Sequence, residues 1–174
     1  MRILLILLIS ISLNMAAAEK ESPTEVFKAQ RISQGEIFFD QATQYYQDKM
    51  YETCIEKLLD FQILFPGHPW TVKAQKLLSQ AYEKNEQWDK SVQVDLKIHK
   101  ENSSLEEGLS SYLDAAKKMA KMGKTAKAVE ILEYLKAQMY SNKLAKDAEI
   151  ELDQMRILGL VKDAKSAQEK EKQQ

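Results

Sequence analysis

A period of 37 residues is the feature that most constrains what this chain can fold into. Tyr51, Cys54 and Ile55 align with Trp88, Ser91 and Val92, and again with Thr125, Ala128 and Val129, at a step of 37 each time. The same offset gathers Ala42, Ser79 and Ala116 into a column of small residues, and Tyr45, Tyr82 and Met119 into a column of large ones. Three further columns are Phe38, Gln75, Tyr112; Leu58, Asp95, Leu132; and Phe61, Ile98, Leu135, with Gln75 and Asp95 of the middle unit as the misfits. A period of this length belongs to stacked supersecondary units, none of which can bury its apolar face alone.

Each unit reads as two amphipathic helices joined by a tight turn. Phe38, Ala42 and Tyr45 fall at i, i+4 and i+7, and Cys54, Leu58 and Phe61 repeat the pattern on the next segment. The turns fall at Asp48 to Met50, Asn85 to Gln87, and Met122 to Lys124. Small residues are needed where helices approach closely, and large ones fill the gaps beside them. Composition agrees: 5 Gly and 3 Pro in 174 residues, 44% hydrophobic and 29% charged, leave long helix-favouring stretches and no strand-like segment after the first 18 residues. The class is all-α.

These residues resemble the tetratricopeptide repeat (TPR) family. Its pattern of an aromatic, a small residue, a Tyr, a turn, then an aromatic and a small residue and a Pro is met by Phe38, Ala42, Tyr45, Tyr51, Cys54 and Pro66. The second unit offers Leu78, Ser79, Tyr82, Trp88 and Ser91, and the third Tyr112, Ala115, Ala116, Gly123, Ala128 and Val129. The family repeat is about 34 residues, and the extra residues here fit at the junction Phe65, Pro66, Gly67, His68, Pro69. That junction is similar to linkers in TPR proteins of the Gram-negative envelope, of the outer-membrane assembly lipoprotein and Tol-associated coordinator type. The resemblance implies a right-handed α-solenoid of three helix-turn-helix units, at about residues 35–71, 72–108 and 109–145, within a repeat domain of residues 35–158.

The ends read as caps. Ser22, Pro23, Thr24 and Glu25 form a helix start with a capping box, so residues 19–34 are expected to hold an N-terminal segment and capping helix. Residues 144–158, with Ile150, Leu152 and Met155, supply a C-terminal capping helix, and residues 159–174 form a charged tail with little to bury. At the front, Arg2, the apolar run Ile3 to Leu13 and Ala16, Ala17, Ala18 have the layout of a secretory signal peptide over residues 1–18, leaving Glu19 as the new N-terminus. The run is too short for a bilayer span of roughly 20 residues, and no Cys lies near the cleavage site. The expectation is an exported, periplasmic protein with no stable membrane anchor after cleavage.

Chemistry is sparse. The two histidines, His68 and His99, are far apart, and no nucleophile elbow, phosphate loop or metal-ligand spacing is present. The chain is therefore expected to be neither an enzyme nor a binder of metal or cofactor. Cys54, the sole cysteine, falls in the column of Ser91 and Ala128 and reads as a small packed residue. A net charge of -1 gives no overall attraction to nucleic acid, yet residues 36–65 carry six acids against two lysines, and residues 117–146 eight lysines against two acids.

In the resembled family the first helix of each unit lines a concave groove. Carried onto this sequence, the partner-binding positions are Phe39, Thr43 and Tyr46; Lys73, Lys76, Gln80 and Lys84; and Leu113, Lys117 and Lys121. Phe39, Tyr46 and Leu113 would be apolar anchors ringed by lysines, implying a protein partner with an acidic segment and hydrophobic contacts. Phe39 and Tyr46 have an alternative reading, in which they pack under the N-terminal helix. Phe39 and Thr43 stand where a carboxylate-clamping member would need Lys and Asn. The expected function is an adaptor or scaffold in an envelope assembly; the alternatives are a structural subunit using its convex face and ends, or a cell-wall-binding accessory.

Overall fold

A computed structural model of the chain describes residues 22–137 and 142–161. Among the described residues there are seven α-helices and no strand: α1 Pro23–Gln47, α2 Tyr51–Leu64, α3 Thr71–Lys84, α4 Trp88–Glu101, α5 Glu106–Lys121, α6 Thr125–Ala137 and α7 Asn142–Ile157. Residues 1–18, expected to be a signal segment, and most of the tail lie outside them.

The capping box forms as its residues dictate. The Glu25 backbone N–H donates to Ser22 Oγ at 3.3 Å, and the Ser22 N–H donates to Glu25 Oε2 at 3.1 Å. The helix it starts runs on for 25 residues. Among the described residues from 22 to 34 there is no separate capping helix, because the helix begun at Pro23 is already the first helix of unit one. Gly35 does not break it; a Cβ there would press on the His68 imidazole, so the missing side chain lets the helix pass the junction.

Each helix packs on the next in the chain, α1 also touches α3, and α5 also touches α7. The pairs α1/α2, α3/α4 and α5/α6 are the three units, and α7 covers the open end of the third. The small column is buried throughout, as are Cys54, Ser91 and Ala128. Apolar residues then form two clusters. One joins Phe39, Ala42, Leu58, Phe61, Leu78 and Tyr82 of α1 to α3, and the other joins Val92 to residues of α5, α6 and α7.

The helix turns obey the same period. Lys49, Glu86 and Gly123, 37 apart, all adopt left-handed backbone with φ of 60, 58 and 76°. The following N–H reaches back to Tyr45 O, Tyr82 O and Met119 O, at 2.9, 2.8 and 2.9 Å, which is the Schellman closure of a helix end. Between units the chain uses Phe65 to Trp70 and then Asn102 to Leu105. The second junction lies so close to α5 that a Cβ on Gly108 would collide with the Asn102 carbonyl.

Candidate interaction face

The first helix of each unit shares one side of the stack with α7, and this is the face on which the partner-binding positions were expected. The structure divides those ten residues. Phe39 and Leu113 are each only 4% exposed, so neither is an apolar anchor on the surface. The Phe39 ring sits between Phe61 and Trp70, at centroid distances of 6.3 and 5.5 Å, in edge contacts. The physical reason is that such a helix packs on its own hairpin partner and on the next unit, so its buried arc is wider than the one-sided stripe that spacing alone assigns. Tyr46 is half-buried against Tyr51 at 5.5 Å, and burial raises its phenol pKa, with Tyr51 adding to the effect. Thr43 donates its hydroxyl to Phe39 O at 3.0 Å within the helix.

The polar members stay outside. Lys73 lies over the Trp70 and Phe39 rings, with its ammonium 4.2 and 4.8 Å from their centroids. Lys76, Lys117 and the edge of Leu113 line one cleft of about 360 Å³, shared with Asp114, Lys143 and Asp147 from α5 and α7. Gln80 and Lys84 are exposed farther along α3. Lys117 pairs with Glu151 at 3.2 Å, and Lys121 with Glu83 at 3.5 Å while resting over Trp88. Lys124 and Lys136 pair with Asp89 and Glu149. The lysine-rich third of the chain thus meets acids from neighbouring helices, and the face is a mixed-charge surface rather than a purely basic one.

Spacing missed the most consequential polar residue. Lys118, 6% exposed, donates to Asp95 Oδ2 at 2.6 Å and to Ser79 Oγ at 2.7 Å, with Glu83 at 3.6 Å. Ser79 and Ser91 exchange bonds with each other's carbonyls at 3.2 and 2.7 Å. This network lies where the two apolar clusters divide, and it explains why Asp95 interrupts a leucine column. Burial raises the Asp95 pKa, opposed by the Lys118 charge and hydrogen bond. The available signal was Asp95 itself, an acid in a column of leucines; nothing in the spacing indicated which lysine would meet it. Gln75, the other misfit, donates to Glu101 Oε2 at 3.3 Å across the second unit.

The histidines are structural. His68 is buried; its Nδ1 accepts from the Trp70 N–H at 3.0 Å, which leaves Nε2 to donate to Ile32 O at 3.0 Å. The junction is thereby fastened to α1. His99 stacks on Tyr112 at 3.9 Å, and desolvation lowers its pKa, with Gly108 opposing. Cys54 is fully buried, and burial pushes its thiol up to about 11, which makes it a packing residue. Among the described residues, no group of three or more His, Cys, Asp or Glu could hold a metal ion.

No protein-family model matches the chain, and no curated protein matches it. Solved structures do. A Podosopora anserina protein described as a kinesin light chain, with nearly identical TPR-like repeats, matches with a TM-score of 0.53 at 21% identity, over 76% of this chain and 71% of that one. A single-residue variant of it matches at 0.53 and 17% identity, over 94% and 84%.

Proposed function

The fold is a TPR-like helical solenoid, and from that premise we propose that the protein is an interaction scaffold that holds a segment of a protein partner on the face shared by α1, α3, α5 and α7. The observation that carries this is the cleft between α3, α5 and α7, lined by Lys76, Lys117 and Lys143 together with Glu106, Glu107, Asp114 and Asp147. Side-chain charge of both signs lines it, which suits recognition of another chain by ion pairing. The partner segment is charged, with acidic residues for Lys76 and Lys84. With Phe39 and Leu113 in the core, Tyr46 is the apolar residue of the expected positions that stays partly exposed. The signal-like residues 1–18 support export, and the junction's likeness to envelope TPR proteins supports a periplasmic assembly as the setting.

A second reading, a structural subunit that docks by its end, draws on exposed Ile37, Leu59 and Ile63 at the uncovered edge of α1 and α2. Pull-down from the periplasmic fraction separates the two. Lys76→Gln with Lys84→Gln should lose the partner, and binding by the unaltered protein should weaken with added salt, because exposed charges are screened over about 8 Å at physiological ionic strength. Leu59→Gln with Ile63→Gln should retain it. The opposite pattern overturns the groove in favour of the edge. A mature N-terminus far from Glu19, or an intact chain in the cytoplasm, overturns the setting.

A further inference from the structure

A solenoid covers each unit with the next, and among the described residues no helix precedes unit one to cover its outer side. That side is apolar. No large apolar side chain of α3, α4 or α5 is exposed, whereas α1 and α2 expose Val26, Phe27, Ile37, Leu59, Ile63 and Leu64, with Phe27 and Ile63 at 71 and 75%. On α1, opposite the buried Gly35, Phe39 and Ala42, runs the exposed stripe Phe27, Gln30, Gln34, Ile37, Gln41, Gln44, spaced alternately three and four apart. This is the spacing of a seam along which one helix lies on another. It holds no charge in a chain that is 29% charged, unlike a helix face built for water. Arg31 donates to the carbonyl of Leu64, the last residue of α2, so Pro23 to Gln30 project past that helix. Between the projecting turns and the end of α2 lies an open trough of about 500 Å³, lined by Phe27, Gln30, Arg31, Gln34, Leu64 and Phe65.

Such a face is complementary to its own reversed copy. An antiparallel copy centred between Gln34 and Ile37 puts Phe27 opposite Gln44, Gln30 opposite Gln41, and Ile37 of each copy at the trough of the other. Glutamine amides both donate and accept, so Gln meets Gln with its hydrogen bonds kept. Charge fixes the direction. Phe39 packs on Phe61 and Tyr46 on Tyr51, which sets the exposed Glu56 and Asp60 of α2 level with Asp40 of α1. In the reversed copy Arg31 arrives at that level, with four of its five donors free. Parallel copies would instead set Arg31 beside Arg31 and acid beside acid. We propose that α1 and α2 of two copies pack face to face about a two-fold axis as an antiparallel four-helix bundle, with Arg31 of each copy on Glu56 and Asp60 of the other. The proposal rests on the second reading above, docking by this edge, and names a second copy as the occupant. The cleft between α3, α5 and α7 shares none of these residues and stays open.

The test is sedimentation equilibrium of the purified protein over a range of concentrations, with circular dichroism checking the helix content of each variant. The unaltered protein should reach the mass of two copies and no more. Ile37→Glu with Ile63→Glu, both at exposed positions, should raise the dissociation constant at least about a hundredfold, since each buries a charge without a partner. Arg31→Glu alone, and Glu56→Lys with Asp60→Lys, should each weaken the dimer about tenfold or more by setting like charges together. An equimolar mixture of these last two proteins should dimerise as tightly as the parent, because both contacts of the mixed pair then join opposite charges. Should Arg31→Glu disturb the end of α2, the exposed Glu56 and Asp60 variant still carries the charge test against the parent. A monomer at every concentration overturns the dimer, and a mass that grows past two copies overturns it in favour of an end-to-end stack. A mixture no tighter than its components overturns the antiparallel pairing. The pull-down with the Lys76 and Lys84 variants reads the groove separately, so either result can fail without the other.

Discussion

At the residue scale, the three left-handed turn positions show how a repeat uses different side chains for one backbone job. Only the third, Gly123, has glycine at a φ that L side chains occupy at a cost of roughly 1 to 2 kcal/mol. Lys49 and Glu86 hold the same conformation with a side chain, so part of that cost persists in the folded state. Lys49→Gly and Glu86→Gly should each raise stability by up to about 1 kcal/mol, whereas Gly123→Ala should lower it by about as much. Urea unfolding of the three variants checks this. Equal midpoints for all of them would mean that the turns bear no such strain. Position 37 residues along predicted the turn; nothing in the spacing predicted which residue would fill it.

At the element scale, the stack is held by two apolar clusters and, between them, one buried ionic knot. Lys118 of α5 reaches Asp95 of α4 and Ser79 of α3, so three helices from two units meet at one ammonium. Removing one partner from such a pair strands the other charge, at about 3 to 5 kcal/mol, while replacing both with apolar residues is often neutral or stabilising. Lys118→Met should therefore destabilise severely. Lys118→Met combined with Asp95→Leu, which restores the leucine of the first and third units, should recover most of the loss. A double-mutant cycle in denaturant reads the coupling; simple additivity would show that the pair is not the link between the units. Column analysis could find Asp95 as an anomaly because its equivalents are Leu58 and Leu132. It could not find Lys118, since a lysine on an exposed-looking helix position is ordinary until its neighbour proves to be a buried acid.

At the scale of the whole molecule, a solenoid is stabilised by nearest neighbours, so its ends are its weak points. Leu144, Ala148, Leu152 and Met155 of α7 are buried in the same cluster as Ile131 and Leu135 of α6. Ending the chain after Ala137 should expose that cluster and release α5 and α6 first, leaving the cluster of α1, α2 and α3 protected. Hydrogen exchange followed by helix would show it, and uniform loss of protection along the chain would contradict the quasi-linear stack. The number of units, the helix-turn-helix form of each, the turn positions and the small column were all set by the sequence alone, because each depends on residues a fixed few positions apart. The sides that face outward were not. Phe39 and Leu113 go inward because their helices touch two neighbours, and the lysines of the third unit meet Glu83, Asp89, Glu149 and Glu151 across helix boundaries. Burial and pairing of this kind are relations between segments distant in the chain, and packing the helices against one another is what decides them.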